Sequence, residues 1–342
     1  MTSSSITPVN VLTGFLGSGK TTLLQRLLHS PRMARTAVLI NEFGEIGLDH
    51  LLVQQVDESV VLLQSGCICC SIRDDLASAL RGLLGRRERG EIPAFDRIVI
   101  ETTGLADPGP ILYTLLSEPV IRHHFRLGNV ITTVDVMNAA LHLSRNPEGI
   151  KQVAAADVLV LTKSDMAGTA QITTVREELV RLNPSAMVWD SAQASGEVDF
   201  MLDAMSSAGP ARYQPVNRRG NAAAADAATS LRAHTESVSS MSLIVDRPMD
   251  WTAFGIWLSL LLNRHGDDVL RVKGILSVEG SDTPVFINGV QHIVHPPQHL
   301  ERWPTADHRS RMVFITRDIE QDKLRRSLEA FCKLRVAEPV VA

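Results

Sequence analysis

Val9-Asn10-Val11-Leu12-Thr13 runs without a break into Gly14-Phe15-Leu16-Gly17-Ser18-Gly19-Lys20-Thr21-Thr22 and then into Leu23-Leu24-Gln25-Arg26-Leu27-Leu28. This reads as a short apolar strand, a glycine-rich turn and an amphipathic helix. Positions 14–21 carry the G-x-x-x-x-G-K-T spacing of a phosphate-binding P-loop, in the strand–turn–helix context that the motif requires. Gly14, Gly17 and Gly19, with Ser18 among them, let backbone N–H groups converge on phosphate oxygens, and the helix N-terminus adds positive potential. Lys20 is expected at the β- and γ-phosphates and Thr21 on Mg²⁺, with Thr22 beside them.

Outward from this loop, short apolar runs alternate with helical patterns. Strands are predicted over 9–12, 37–40, 60–63, 97–101, 130–134, 158–161 and 187–189, and helices over 20–29, 74–84, 110–116 and 173–182. The alternation predicts an α/β fold, a P-loop NTPase domain with a mainly parallel sheet covered by helices. Ile98-Val99-Ile100 and Val158-Leu159-Val160-Leu161 have the continuous apolar character of strands buried on both faces. From Gly209 to Glu236 large apolar residues nearly vanish, which predicts a flexible linker. Beyond it, strands over 241–245, 269–278, 285–287 and 312–316 and helices over 251–263 and 320–331 predict a small α+β domain with an open antiparallel sheet. The expected domains are therefore 1–208, the linker 209–236, and 237–335.

The bulk numbers narrow the function. The chain has 342 residues, 44% of them hydrophobic and 21% charged, which suits two globular domains. A net charge of −4 and an aromatic content of 4% give no electrostatic or stacking case for nucleic acid. The stretch 251–262 is too short to span a bilayer, and Asp250 before it reads as a helix cap. The first residues lack the basic and apolar regions of a signal peptide. Three of the four cysteines fall within four positions, which is no disulfide framework. A cytoplasmic location, where thiols stay reduced, is the expectation, with neither membrane nor nucleic acid as partner.

Several further segments bear chemistry. Arg97-Ile98-Val99-Ile100-Glu101 ends a strand on a carboxylate suited to Mg²⁺, and Gly104, three residues on, is placed to sense a γ-phosphate. Glu42, Glu45 and Asp49 follow the second strand, where a switch would lie; each is a candidate for Mg²⁺, the attacking water or a carried metal, or an ordinary surface acid. Thr162-Lys163-Ser164-Asp165 follows a buried strand. There Asp165 would accept from guanine N1 and N2 while the Lys163 stem covers the ring, which favours GTP over ATP. Ser191-Ala192 sits where a second base-binding loop would fall.

Cys67, Cys69 and Cys70 offer three thiolates and no fourth ligand nearby. A closed structural zinc site wants four ligands, so an open set suits an ion that is handed on. Thiolates select Zn²⁺ or Cu(I) over Mg²⁺, and uptake should release protons. The other readings are small buried residues or redox-active thiols. Cys332 reads as core. His295 and His299 have helical spacing, but Pro296-Pro297 between them forbids a regular helix, so these two and His292 read as surface or loop histidines rather than ligands. His123-His124 stays open between the two readings. Trp251, Trp257 and Leu258–Leu262 read as core.

Gly14–Thr22, Asn41-Glu42-Phe43-Gly44, Gly66-Cys67-Ile68-Cys69-Cys70, Glu101–Pro108 and Thr162–Asp165 occur in the order seen in CobW-like metallochaperone GTPases. The chain resembles that family over nearly its whole length outside the linker, and Arg271-Val272-Lys273-Gly274-Ile275-Leu276 is similar to the family's C-terminal domain. Thr162 departs from the commoner asparagine. The resemblance implies GTP hydrolysis linked to delivery of a metal, commonly zinc, to a client metalloprotein. Lys20 and Thr21 would belong to the nucleotide and Mg²⁺ site, Glu101 to the Walker B position, and Cys67, Cys69 and Cys70 to the carried ion, which is Zn²⁺ or else Co²⁺ or Fe²⁺. A nucleotide- or metal-dependent homodimer is a further expectation. No side chain stands out as a general base, so turnover is expected to be slow. The rival readings are a nucleotide-regulated metal buffer with negligible turnover and an ATP-using kinase.

Overall fold

The computed structural model describes residues 6–30, 33–40, 61–64, 72–192, 199–202, 237–333 and 336–337. Cys67, Cys69, Cys70, Glu42, Glu45, Asp49 and the expected linker 209–236 lie outside the described residues. Contacts divide the chain into two units, one built on each of two sheets.

The first unit is the α/β layer that the sequence predicts. Its strands are β1 (Thr7–Gly14), β2 (Thr36–Ile40), β3 (Val61–Gln64), β4 (Arg97–Glu101), β5 (Phe125–Asp135), β6 (Val158–Thr162) and β7 (Met187–Asp190). They lie in the order β3-β2-β4-β1-β5-β6-β7. The pairs β2/β3, β2/β4, β1/β4, β1/β5 and β5/β6 are all parallel. Its helices are α1 (Lys20–Leu28), α2 (Ile72–Glu88), α3 (Pro108–Ser117), α4 (Pro119–His124), α5 (Ala139–Arg145) and α6 (Pro147–Ala155). Strand β6 is buried along its whole length, as its unbroken apolar run requires. Helix α1 turns Leu23, Leu24, Leu27 and Leu28 inward, the spacing of one helical face.

Helices α4, α5 and α6 were not expected from the sequence. Pro119 and Pro147 begin two of them, a position where the missing N–H costs nothing. A proline that reads as a breaker is here a start. Asp107 caps α3 by accepting from the Gly109 N–H at 2.9 Å, and Glu118 caps α4 by accepting from Ile121 N–H at 2.9 Å.

The second unit holds β8 (Val238–Val245), β9 (Val269–Leu276), β10 (Val285–Val290), β11 (Ile293–Val294), β12 (Gln298–His299), β13 (Ser310–Arg317) and β14 (Val336–Ala337). The sheet order is β11-β10-β9-β13-β8-β14, with β12 also on β10, and every pairing is antiparallel. Helices α8 (Trp251–His265) and α9 (Gln321–Cys332) lie with it, and α7 (Thr169–Leu182) groups with this unit too. The Ser240 hydroxyl donates to the Arg181 carbonyl at 2.6 Å, tying β8 to the end of α7. Asp250 caps α8, accepting from Thr252 and Ala253 N–H groups at 2.8 and 3.1 Å.

Phe254, Trp257, Leu258, Leu262, Phe314, Leu324, Leu328 and Cys332 form the core of this unit. Burial pushes the Cys332 thiol pKa up, consistent with a packing role. Two residues of the expected core are not in it: Trp251 and Leu260 are exposed. Only one stripe of α8 is buried, and an apolar run broken only by Thr252, Gly255 and Ser259 does not show which residues lie on it. His295 is buried beside Asn288, whose carbonyl accepts its N–H at 2.8 Å, whereas His292 and His299 are exposed. No described helix is long and apolar enough to cross a membrane.

Candidate nucleotide site

The parallel sheet brings the ends of β1, β4, β5 and β6 to one edge, where α/β sheets place their ligands. The turn after β1 is the P-loop. Gly14 packs against β5 so closely that a Cβ there would lie 2.2 Å from Thr133 Oγ1. Gly19 ends the turn in the left-handed region, at φ 87°, as the N-cap of α1. Ser18 shares a 2.7 Å hydrogen bond with the Thr133 hydroxyl, and its N–H donates to the Phe15 carbonyl at 3.1 Å. Lys20 Nζ folds back on the loop, donating to the Gly14 and Phe15 carbonyls at 3.0 and 3.2 Å. Thr22, next to Thr21, lies in the first turn of α1.

Thr21 and Glu101 are 80 residues apart in sequence, yet the Thr21 hydroxyl donates to Glu101 Oε1 at 3.0 Å. The carboxylate is buried at the end of β4. A hydroxyl and a carboxylate meeting at the start of α1 form a hard oxygen pair, the donor chemistry that suits Mg²⁺.

Beyond Glu101 the chain is held against the P-loop from several sides. The Thr102 N–H donates to the Leu12 carbonyl at 2.9 Å, and its hydroxyl to Thr13 Oγ1 at 2.8 Å. Gly104 lies against Leu16: a Cβ would meet the Leu16 nitrogen at 2.5 Å. From α6, Gln152 Nε2 donates to the Gly104 and Ala106 carbonyls at 3.1 and 3.0 Å, and Lys151 Nζ pairs with Asp107 at 2.6 Å. Each amide proton of Gln152 is thereby spent on this one loop.

Thr162 hydrogen-bonds the P-loop itself, its hydroxyl donating to the Ser18 carbonyl at 2.8 Å with the Val134 carbonyl at 3.3 Å. Lys163 takes a left-handed backbone, φ 56°, and its ammonium pairs with Asp135 at 2.8 Å. Asp135 is buried, which opposes its ionisation. Hydrogen bonds from Lys163, Asn138 and the Met137 N–H outweigh that cost and hold its carboxyl below the ordinary range. The His142 ring lies 4.3 Å from that of Phe15, and burial lowers the His142 pKa. Asp165 is exposed within a three-residue 3₁₀ turn, Ser164–Met166.

Lys20, Thr21, Glu101, Gly104 and Thr162 thus converge on the P-loop. Sequence reading missed Thr133, Asp135, Lys151, Gln152 and Asp190. One signal was available for two of them: Asp135 and Asp190 end β5 and β7 on a carboxylate, as Glu101 ends β4, though these two grip Lys163 and Ser164 in the segment after β6.

A parallel sheet with a P-loop between its first strand and helix defines a P-loop nucleotide-binding protein. Residues 8–190 match the CobW/HypB/UreG nucleotide-binding domain, and residues 238–332 match the cobalamin synthesis protein cobW C-terminal domain. The chain belongs to the CobW/HypB/UreG family, with a P-loop GTPase fold followed by a separate antiparallel-sheet domain. It is 33% identical over 336 residues to the zinc chaperone YjiA of Escherichia coli strain K12, covering 96% of this chain and 98% of that protein. It is 29% identical over 321 residues to zinc-regulated GTPase metalloprotein activator 1 of Schizosaccharomyces pombe, covering 84% and 75% respectively. The crystal structure of the Zn(II)-bound YjiA GTPase from E. coli superposes with a TM-score of 0.71 at 29% identity, covering 96% of this chain and 99% of that one.

Proposed function

We propose that this protein binds and slowly hydrolyses GTP, and that it uses the nucleotide cycle to deliver Zn²⁺ from Cys67, Cys69 and Cys70 to a client metalloprotein. The observation that carries the nucleotide half is the Thr21–Glu101 hydrogen bond at the mouth of the P-loop. The names of the relatives, a zinc chaperone and a zinc-regulated GTPase, support the metal half. In this reading Gly14, Gly17, Ser18, Gly19 and Thr22 line the phosphate cradle. Lys20 exchanges its two carbonyl partners for the β- and γ-phosphates. Asp165 reads the guanine edge, the Lys163 stem covers the ring, and Thr162 fastens this segment to the P-loop.

Thr21 and Glu101 would hold Mg²⁺, which neutralises charge developing on the phosphates. Gly104, already against Leu16, is placed to report the γ-phosphate to the loop that Lys151 and Gln152 hold. Glu42, Glu45 and Asp49 are the candidates for the other switch. The domains in this account are 1–208 and 237–335, joined by 209–236, and the protein works in the cytoplasm, where the thiols stay reduced. Delivery involves the client and, with nucleotide or metal, a second copy of the chain.

The test is phosphate release from GTP by the wild type and Cys69→Ala, each with and without Zn²⁺. The expected result is slow turnover that Zn²⁺ changes in the wild type and leaves unchanged in Cys69→Ala. No GTP-dependent release under any metal condition would favour a metal buffer instead.

A further inference from the structure

The two segments read as facing the base, 162–165 and 191–192, are joined by one buried carboxylate. Asp190 ends β7 and is 5% exposed. Its Oδ1 accepts from the Ser164 hydroxyl and from the Ala192 N–H, the latter at 3.0 Å. The Ser191 N–H donates to the Leu161 carbonyl at 2.9 Å, so the ends of β6 and β7 are cross-linked at two points, Ser164–Asp190 and Ser191–Leu161.

The segment around Asp165 needs such anchors. Lys163 sits in a left-handed conformation that an L-residue adopts at a cost. The turn after it is one 3₁₀ turn, with Met166 and Ala167 N–H groups reaching back to the Lys163 and Ser164 carbonyls at 3.2 Å each. A single turn of this kind does not hold itself in water. Asp135 grips the residue two before Asp165, and Asp190 grips the residue immediately before it.

We propose that Asp190 is a positioning residue for base recognition: by holding Ser164 it presets the Asp165 carboxylate to take both guanine donors, N1–H and the 2-amino group. This rests on the reading of the site as GTP-binding. Asp190 acts through Ser164 and touches no nucleotide, so its signature is base selectivity rather than phosphate affinity or the chemical step.

The experiment measures Kd for GDP, IDP and ADP on the full chain, by competition against a fluorescent GDP analogue. IDP lacks only the 2-amino group, so the ratio Kd(IDP)/Kd(GDP) reports the second donor bond of Asp165. In the wild type a ratio of about ten or more is expected, the usual scale of one lost charge-assisted bond. Asp190→Ala should bring it to within about threefold of unity, because a carboxylate no longer preset gains less from the second donor. Asp190→Asn, whose amide oxygen accepts the same two bonds, should keep the wild-type ratio.

Ser164→Ala should repeat the collapse, and the double variant Asp190→Ala/Ser164→Ala should add nothing to it, since the two act through one bond. Ser164→Ala removes only a hydroxyl, so it carries the test if Asp190→Ala does not fold. A wild-type ratio retained in both Asp190→Ala and Ser164→Ala, with all three nucleotides weakened equally, would overturn the proposal and leave Asp190 a structural residue. Equal binding of GDP, IDP and ADP by the wild type would instead overturn the guanine reading, and this proposal with it.

Discussion

The residues of the nucleotide site bond to one another around the P-loop. Lys20 rests on two carbonyls, Thr21 on Glu101, and Lys163 on Asp135. Thr21→Ala removes one oxygen of the pair proposed to hold Mg²⁺. Its GTP turnover should fall by about 100-fold, the scale of losing one electrostatic stabiliser, while GDP affinity in chelator stays within about twofold. Stopped phosphate release beside equilibrium binding checks both. Asp135→Asn tests the linkage at the other lysine. The folded pKa of Asp135 is depressed, so its contribution is complete above its ordinary value of 3.8 and is lost as pH falls through the folded value. The stability difference between wild type and Asp135→Asn should be about 1–2 kcal/mol and flat above about pH 5, because Lys163 is partly exposed. It should shrink below that in urea unfolding series; a difference that grew on acidification would contradict the assignment.

At the scale of elements, three strands, β4, β5 and β7, each deliver a carboxylate at their C-terminal ends, and α6 reaches over to hold the loop after β4. Gln152→Ala would leave two carbonyls without their donor and should cost about 1–3 kcal/mol in urea unfolding. Asp250→Ala removes the cap of α8 and should cost about 1 kcal/mol. These cases also show what the sequence makes legible. The strand–turn–helix at 9–28 could be read because motif and context are contiguous, and buried β6 because a parallel strand is apolar throughout. The grips of Asp135 on Lys163 and Asp190 on Ser164 could not, since the partners stand 28 and 26 residues apart and no local pattern pairs them. Thr13, Thr102 and Thr133 carry no local signal of their role, yet their side chains are buried below the P-loop, the Thr102 hydroxyl donating to Thr13 Oγ1 and the Thr133 hydroxyl to the Thr13 carbonyl. In α8 the apolar run was legible and the buried stripe was not, which left Trp251 and Leu260 on the wrong side of the reading.

At the scale of the whole molecule, two sheets of opposite character serve one chain: a parallel one that carries the phosphate loop at the ends of its strands, and an antiparallel one closed over by α8 and α9. In the proposed cycle the nucleotide decides how tightly the thiols at 67–70 hold their ion, and linkage requires the ion to alter nucleotide affinity by the same factor. The most direct measurement is the Zn²⁺ dissociation constant of the full chain without nucleotide, with Mg²⁺·GDP, and with Mg²⁺ and a non-hydrolysable GTP analogue. The account predicts that the GDP and analogue values differ by about 5- to 150-fold, the range of ordinary allosteric coupling, and that Cys69→Ala abolishes the difference. One Zn²⁺ affinity common to all three states would contradict it.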